Sequence, residues 1–127
     1  MSHYLLDTNI LIYYFNGNME PVVKDKVSML IRESFQISII SKMEFLGFPF
    51  NSKERQKAEQ FVEWATIKAL TDEIVQNVID IRKEKSIKLP DAIIAATAMQ
   101  CSAILVTRNT KDFKTLALEI FNPFDSD

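Results

Sequence analysis

The sequence contains little cysteine, glycine or proline: one, two and four residues out of 127. A single cysteine, Cys101, excludes an internal disulfide, and its apolar neighbours favour a small buried thiol over a reactive one. With 47% apolar and 25% charged residues, the composition is that of a globular protein and not of a disordered or fibrous one. We therefore expect a single domain over residues 1–127, in a reducing compartment.

Long apolar runs and a basic excess are also lacking. No apolar run approaches the roughly 20 residues of a membrane-spanning helix, and the first residues lack the basic and apolar segments of a signal peptide. We expect a cytoplasmic, unexported protein with no membrane partner. The net charge is −2, so the chain lacks the general positive field of proteins that bind nucleic acid non-specifically. Any contact with nucleic acid must come from a local site.

What the sequence does contain is an alternation of short apolar runs and helical periodicity. The runs that predict strands are residues 3–6, 36–40, 67–70, 103–106 and 119–121. Apolar residues at helical spacing predict helices at residues 10–15, 21–33, 41–48, 52–64, 71–85, 90–101 and, as a short one, 110–117. Strands that alternate with helices form parallel sheets covered on both faces. The expected fold class is α/β, a three-layer α/β/α domain with a central, mainly parallel sheet of four to five strands.

Four acidic residues occupy positions where the functional groups of such a sheet collect. Asp7 follows the first strand, and Glu44 lies in the helix after the second strand. Asp91 is in the first turn of the helix before the fourth strand, and Asp112 follows that strand. Ligands of α/β sheets bind at the carboxyl ends of the strands. We therefore expect these four carboxylates to converge on one edge of the sheet.

Converging carboxylates repel one another, and a bound divalent cation offsets that repulsion. All-oxygen ligation favours Mg²⁺ or Mn²⁺ over zinc, because neither His3 nor Cys101 is expected at this edge. One or two such ions can activate a water and stabilise the oxygens of an in-line phosphoryl displacement. The pattern indicates phosphodiester hydrolysis.

Each acid taken alone also has a structural explanation. Acidic residues are favoured at helix N-termini, and Asp91 and Asp112 fit first helical turns. Residues 41–44, Ser-Lys-Met-Glu, have the spacing of a capping box. Asp7 is harder to explain in this way, because a carboxylate that ends an apolar strand needs a partner. The expected convergence of all four acids is what favours a functional site.

Four blocks of the sequence carry a family resemblance. They are Leu-Asp-Thr-Asn-Ile-Leu at residues 6–11, Glu44, Leu-Pro-Asp-Ala-Ile-Ile-Ala-Ala-Thr-Ala at residues 89–98, and Leu-Val-Thr-Arg-Asn-Thr-Lys-Asp-Phe at residues 105–113. Together they resemble a PIN domain and, within that family, the VapC-type toxins of bacterial toxin–antitoxin pairs. The resemblance implies a Mg²⁺- or Mn²⁺-dependent endoribonuclease that cleaves tRNA, ribosomal RNA or mRNA. It also implies a homodimer that a small antitoxin protein inhibits near the site.

The resemblance assigns roles to individual acids. It implies that Asp7, Glu44 and Asp91 are catalytic metal-site acids and that Asp112 is the later acid of the fourth block.

It also implies supporting roles for Thr8, Asn9 and Thr107. The fourth block departs from the fuller pattern at Asn109, where many relatives have aspartate. Asn109 would then orient a ligand or a water, and either Asn109 or Asp112 lies nearer the metal.

Basic residues flank the acids and could hold phosphates. One cluster, Arg82, Lys83, Lys85 and Lys88, precedes Asp91, and other cations lie beside the remaining acids. The cluster is explained by the preference of cations for a helix C-terminus. We therefore assign substrate binding only to Lys42 and Arg108.

Two other functions compete with the nuclease. In a non-catalytic PIN-like interaction module the acids would only cap helices, so that Asp7→Ala and Asp91→Ala would lower stability and nothing else. A phosphotransfer domain would use Asp7 as a covalent nucleophile. The sequence has no aspartate two residues after Asp7, as haloacid-dehalogenase phosphatases have, and no acidic pair after the first strand, as receivers have.

Overall fold

In the computed structural model, residues 3–125 are described, and strands alternate with helices along this part of the chain. The elements are β1 Tyr4–Leu6, α1 Thr8–Phe15, α2 Pro21–Glu33, β2 Gln36–Ser38, α3 Ile39–Leu46, α4 Ser52–Glu63, β3 Thr66–Lys68, α5 Asp72–Glu84, α6 Leu89–Gln100, β4 Ile104–Val106, α7 Thr110–Phe113 and β5 Ile120–Phe121.

The five strands form one parallel sheet in the order β3-β2-β1-β4-β5. β1 is central: Leu5 pairs with Gln36 of β2 on one side and with Leu105 of β4 on the other. The chain moves outward from β1 through β2 to β3 and then returns to build the opposite side. The strand order therefore reverses beside β1, and the carboxyl end of such a position is where α/β sheets bind ligands.

The core has two sides because successive strand residues face opposite sides of the sheet. Leu6 and Val106 pack with α1 and an aromatic group on one side. Leu5 and Leu105 pack against the alanine-rich α6 on the other. Residues 92–98 of α6 are all buried, as expected for an apolar helix between the sheet and α5. The predicted three-layer α/β/α class is confirmed, with a sheet that is entirely parallel.

The predicted boundary between the second strand and the following helix is wrong by two residues. β2 ends at Ser38, and α3 begins at Ile39. The Ser38 side chain accepts a hydrogen bond from the Ile40 backbone N at 3.1 Å and so caps α3. This cap, and not the β-branched character of the two isoleucines, decides where the strand ends. Ser41 is therefore inside the helix.

Smaller differences occur at the end of the chain. The helix predicted over residues 110–117 ends at Phe113. Within residues 3–125, no helix combines the length and the apolar character needed to cross a membrane.

Candidate active site

Asp7 ends the central strand, and both of its carboxylate oxygens are held. Its side chain is only 4% exposed. The Thr8 backbone N donates to Oδ1 at 2.7 Å. The Thr107 hydroxyl donates to Oδ2 at 2.8 Å, and the Asn9 side-chain amide donates to the same oxygen at 3.2 Å. The carboxylate is thus fixed between the ends of β1 and β4.

The charge of Asp7 is poorly stabilised in spite of these donors. Burial raises the pKa of Asp7 from 3.8 to about 6, against the lowering effect of the hydrogen bonds from Thr107 and Thr8. The negative charges of Asp91 and Glu44 raise this pKa further. Three of the predicted acids therefore act on one another electrostatically.

Glu44 is joined to the start of α1. The Thr8 hydroxyl donates to Glu44 Oε1 at 2.6 Å and lies 3.0 Å from Ser41 Oγ, which is completely buried. Because Ser38 caps α3, Glu44 lies in the second turn of that helix and caps nothing. The capping-box explanation of Glu44 is wrong. A capping box is formed instead by Asn51 and Glu54, at the start of α4.

Asp91 is half-buried in the first turn of α6. Burial raises its pKa, the charges of Asp112 and Glu44 raise it further, and the ammonium of Lys88 lowers it. Asp112 is exposed on α7 and lines a cleft together with Asp91. The fourth acid is thus coupled to the other three through Asp91.

Asn109 makes two hydrogen bonds within the fourth sequence block, residues 105–113. Its side-chain amide donates to Asp112 Oδ2 at 2.7 Å, and its backbone N donates to Thr107 Oγ1 at 3.0 Å. Thr107 is fully buried, and its hydroxyl donates in turn to Asp7. Asn9 also joins the two strand ends, because its Oδ1 accepts a hydrogen bond from the Arg108 backbone N at 3.4 Å.

The carboxylates of Asp7, Glu44, Asp91 and Asp112 are the candidate ligands for a metal ion. Within residues 3–125, no three His, Cys, Asp or Glu side chains lie close enough together to hold a metal ion. Nevertheless, the negative charges of neighbouring acids contribute to the raised pKa values of Asp7 and Asp91. A hard divalent cation is the counter-charge that carboxylates of this kind take. The oxygen donors are of the type that Mg²⁺ and Mn²⁺ prefer, although the described side chains are not gathered closely enough to ligate an ion.

The side chains of the two cations assigned to substrate binding contact residues other than the four acids. Lys42 lines a pocket with Glu59 and Glu63 of α4. The Arg108 guanidinium lies over the rings of Tyr13 and Phe124, at 5.1 and 4.5 Å from their centroids. Within residues 3–125, neither side chain forms a hydrogen bond or an ion pair with the four acids.

Ser41, Arg82 and Lys88 lie near the acids but are not among the predicted site residues, since the sequence explains Arg82 and Lys88 by the preference of cations for a helix C-terminus. Ser41 was assigned only to a cap. Arg82 and Lys88 line the cleft that contains Asp91 and Asp112. Lys88 precedes the first residue of α6 and does not belong to the C-terminus of α5, so a more exact helix boundary would have singled it out.

Comparison with known proteins agrees with this architecture. The family model described as "PIN domain" matches residues 4–118. No curated protein matches the chain significantly.

Several solved structures are similar over almost the whole chain. A chain of a toxin–antitoxin complex from Klebsiella pneumoniae is 31% identical, with 97% of this chain and 99% of that chain covered and a TM-score of 0.82. FitAcB from Neisseria gonorrhoeae is 26% identical, with 95% and 98% covered and a TM-score of 0.73. VapBC2 from Rickettsia felis, bound to a DNA fragment from its promoter, is 24% identical, with 94% and 98% covered and a TM-score of 0.80; at this identity the similarity shows the fold alone.

The resemblance expected from the sequence is confirmed by the family match and by the similarity to a chain of a toxin–antitoxin complex. The chain belongs to the PIN domain family.

Proposed function

We propose that this PIN domain is a metal-dependent endoribonuclease, the toxin of a toxin–antitoxin pair, with Asp7, Glu44, Asp91 and Asp112 as its catalytic acids. The observation that carries the proposal is the buried Asp7, whose pKa is raised to about 6 beside other carboxylates at the centre of the sheet edge. A fold that only needed a helix cap there would be more stable with an uncharged residue. Strongly perturbed acids in such positions are typical of functional sites.

The reaction is hydrolysis of an RNA phosphodiester. A water oxygen forms a bond to phosphorus, and the bond between phosphorus and the leaving sugar oxygen breaks. The water gives a proton to a carboxylate of the acid edge, the edge of the sheet with Asp7, Glu44, Asp91 and Asp112. The leaving oxygen takes up a proton. Mg²⁺ or Mn²⁺, held by the four acids, would supply positive charge for the attacking and leaving oxygens.

The surrounding residues keep the acids in place. Thr107 and Asn9 orient Asp7, Thr8 orients Glu44, and Asn109 orients Asp112. Such partners of ligating carboxylates commonly affect metal affinity and activity.

The sequence weighs against a covalent phosphotransfer role for Asp7. No aspartate lies two residues after Asp7, and no acidic pair follows the first strand.

An antitoxin partner is supported by the similarity to chains of toxin–antitoxin assemblies. A homodimer is supported by exposed apolar side chains: Val75 and Ile79 lie one turn apart on α5, and Leu89 begins α6. Apolar patches of this kind mark protein interfaces. We place the protein in the cytoplasm, where its RNA substrates are found.

The test is cleavage of total tRNA and ribosomal RNA by the purified protein with Mg²⁺ or Mn²⁺. Fragments should appear with the wild type and disappear with EDTA or Asp7→Asn. Asp25→Asn on α2 is the matched control, since it removes an exposed carboxylate remote from the site. Cleavage that survives both EDTA and Asp7→Asn would refute the proposal.

A cellular assay separates the toxin from a non-catalytic module. Induced wild-type protein should arrest growth, and Asp7→Ala and Asp91→Ala should not. An interaction module whose acids are only caps would retain its cellular effect in any variant that still folds.

A further inference from the structure

A cleft of about 380 Å³ adjoins the acid edge, between the C-terminus of α5, the N-terminus of α6 and α7. Its lining residues are Arg82, Ser86, Ile87, Lys88, Asp91 and Asp112. Two cations and a serine hydroxyl therefore face the same space as two of the acids. An anionic ligand that enters this space is attracted at its cationic side and lies next to the proposed catalytic groups.

The guanidinium of Arg82 is held in place at this cleft. Its Nε donates to the Ile87 backbone carbonyl at 3.3 Å, which fastens the side chain to the loop between α5 and α6. This hydrogen bond uses Nε and leaves the terminal amino groups for another partner. A guanidinium fixed in this way is suited to bind two oxygens of one phosphate.

The position of Lys88 has no helix-stabilising explanation. Lys88 is the residue immediately before α6, it is exposed, and its side chain makes no capping hydrogen bond. A cation at a helix N-terminus opposes the helix dipole. Lys83, in the last turn of α5, is favourable for that helix. Lys83 and Lys88 thus carry the same charge, but Lys83 interacts favourably with the dipole of α5 and Lys88 unfavourably with that of α6.

We propose that Arg82 and Lys88 form a phosphate subsite of the ribonuclease, which holds an RNA backbone phosphate next to the one that is cleaved. The inference rests on the proposed function and adds to it the residues that position the substrate. A polyanionic strand fits the arrangement, because one phosphate can lie at the cationic side of the cleft while its neighbour lies at the acid edge.

The first test is RNA binding without cleavage, in the Asp7→Asn background. The probe is a labelled, single-stranded oligoribonucleotide of mixed sequence, followed by fluorescence anisotropy at several salt concentrations. Arg82→Gln and Lys88→Gln should each raise Kd about tenfold. Each should also reduce the slope of log affinity against log salt by about 0.7, since one phosphate contact is lost.

The chain offers matched controls for charge. Lys83→Gln and Lys85→Gln remove the same charge from the same stretch, but these residues line a neighbouring pocket instead of the cleft. They should change Kd less than about twofold, which is within the effect of a solvated charge. Arg82→Lys should keep the salt slope and still lose affinity, because it retains the charge without the planar fork.

The second test is steady-state cleavage with the intact acids. Arg82→Gln and Lys88→Gln should raise KM about tenfold with a much smaller change in kcat, since they remove binding and not chemistry. Circular dichroism and thermal melting of each variant establish that it is folded.

Two results would overturn the subsite: unchanged Kd and KM in Arg82→Gln and Lys88→Gln, or an equal loss in the Lys83 and Lys85 controls. If the wild type cleaves RNA and the two cleft variants bind normally, the subsite is wrong and the nuclease stands. If the variants lose binding and the wild type cleaves nothing, the subsite stands and the nuclease is wrong.

Discussion

Thr8 donates its hydroxyl proton to Glu44 across 2.6 Å and so joins the first turn of α1 to the second turn of α3. A hydroxyl has a single proton to donate. The same Thr8 hydroxyl lies 3.0 Å from Ser41 Oγ, so Ser41 and Glu44 are alternative acceptors of the Thr8 proton. Ser41, buried and without solvent contact, is a positioning residue that acts on Glu44 through Thr8.

Ser41→Ala should lower RNA cleavage about 10- to 100-fold, the range found for partners of ligating side chains. Its free energy of unfolding should fall by about 1 kcal/mol. Ser38→Ala is the control, because it removes a buried serine from the same helix start and costs about 1 kcal/mol through the lost cap. The cleavage rate per folded molecule should be lower for Ser41→Ala than for Ser38→Ala. If the two variants cleave RNA at the same rate, Ser41 has no positioning role.

Asp7→Asn should stabilise the fold at neutral pH. The raised pKa means that the folded state binds the proton of Asp7 more tightly than the unfolded state does. Stability from this group is complete below about pH 4 and is lost as the pH rises through about 6. The full difference corresponds to about 3 kcal/mol, reduced by any hydrogen bond that asparagine makes less well.

Denaturant unfolding of wild type and Asp7→Asn between pH 4 and pH 8 measures this difference. The advantage of the variant should widen with rising pH, in a buffer without divalent cations. An advantage that is constant with pH, or absent, would contradict the assigned titration of Asp7.

Thr107→Val should raise the pKa of Asp7 still further, because the hydrogen bond that lowers it is removed. The variant also leaves the Asn109 backbone N without its acceptor, so unfolding should become easier by about 1–3 kcal/mol. Thr107→Ser keeps the hydroxyl and should resemble the wild type in both respects. Carboxyl titration by NMR without metal is the measurement, and an unchanged Asp7 pKa in Thr107→Val would contradict the expectation.

Mg²⁺ or Mn²⁺ should stabilise the wild type and not the site variants. A cation present at 100 times its Kd adds about 2.7 kcal/mol to the free energy of unfolding. Asp7→Asn and Asp91→Asn should show much smaller thermal shifts, and Asp25→Asn should behave as the wild type does. EDTA should reverse the shift, while a shift of equal size in Asp7→Asn would place the cation elsewhere.

Most of the fold could be predicted from the sequence, because its strands are short buried runs between strongly periodic helices. The boundary at Ser38 could not be placed from β propensity, since a single capping hydrogen bond outweighs the preference of Ile39 and Ile40. The position of Asp7 followed from the end of an apolar strand.

The contacts around the site could be predicted less well from the sequence. Ser41 meets Thr8 across 33 residues of sequence, a separation that no local pattern encodes. Lys42 lies beside α4, because residues 42 and 44 are two apart in a helix and do not share a face.

The hydrogen bond between Thr107 and Asp7 spans 100 residues. During synthesis Asp7 leaves the ribosome 100 residues before its donor Thr107, and also before its neighbouring strand β4. Parallel pairing over such a separation forms late in folding. A nascent chain that ends before β4 therefore carries the first acid without the strand and the hydroxyl that hold it in place.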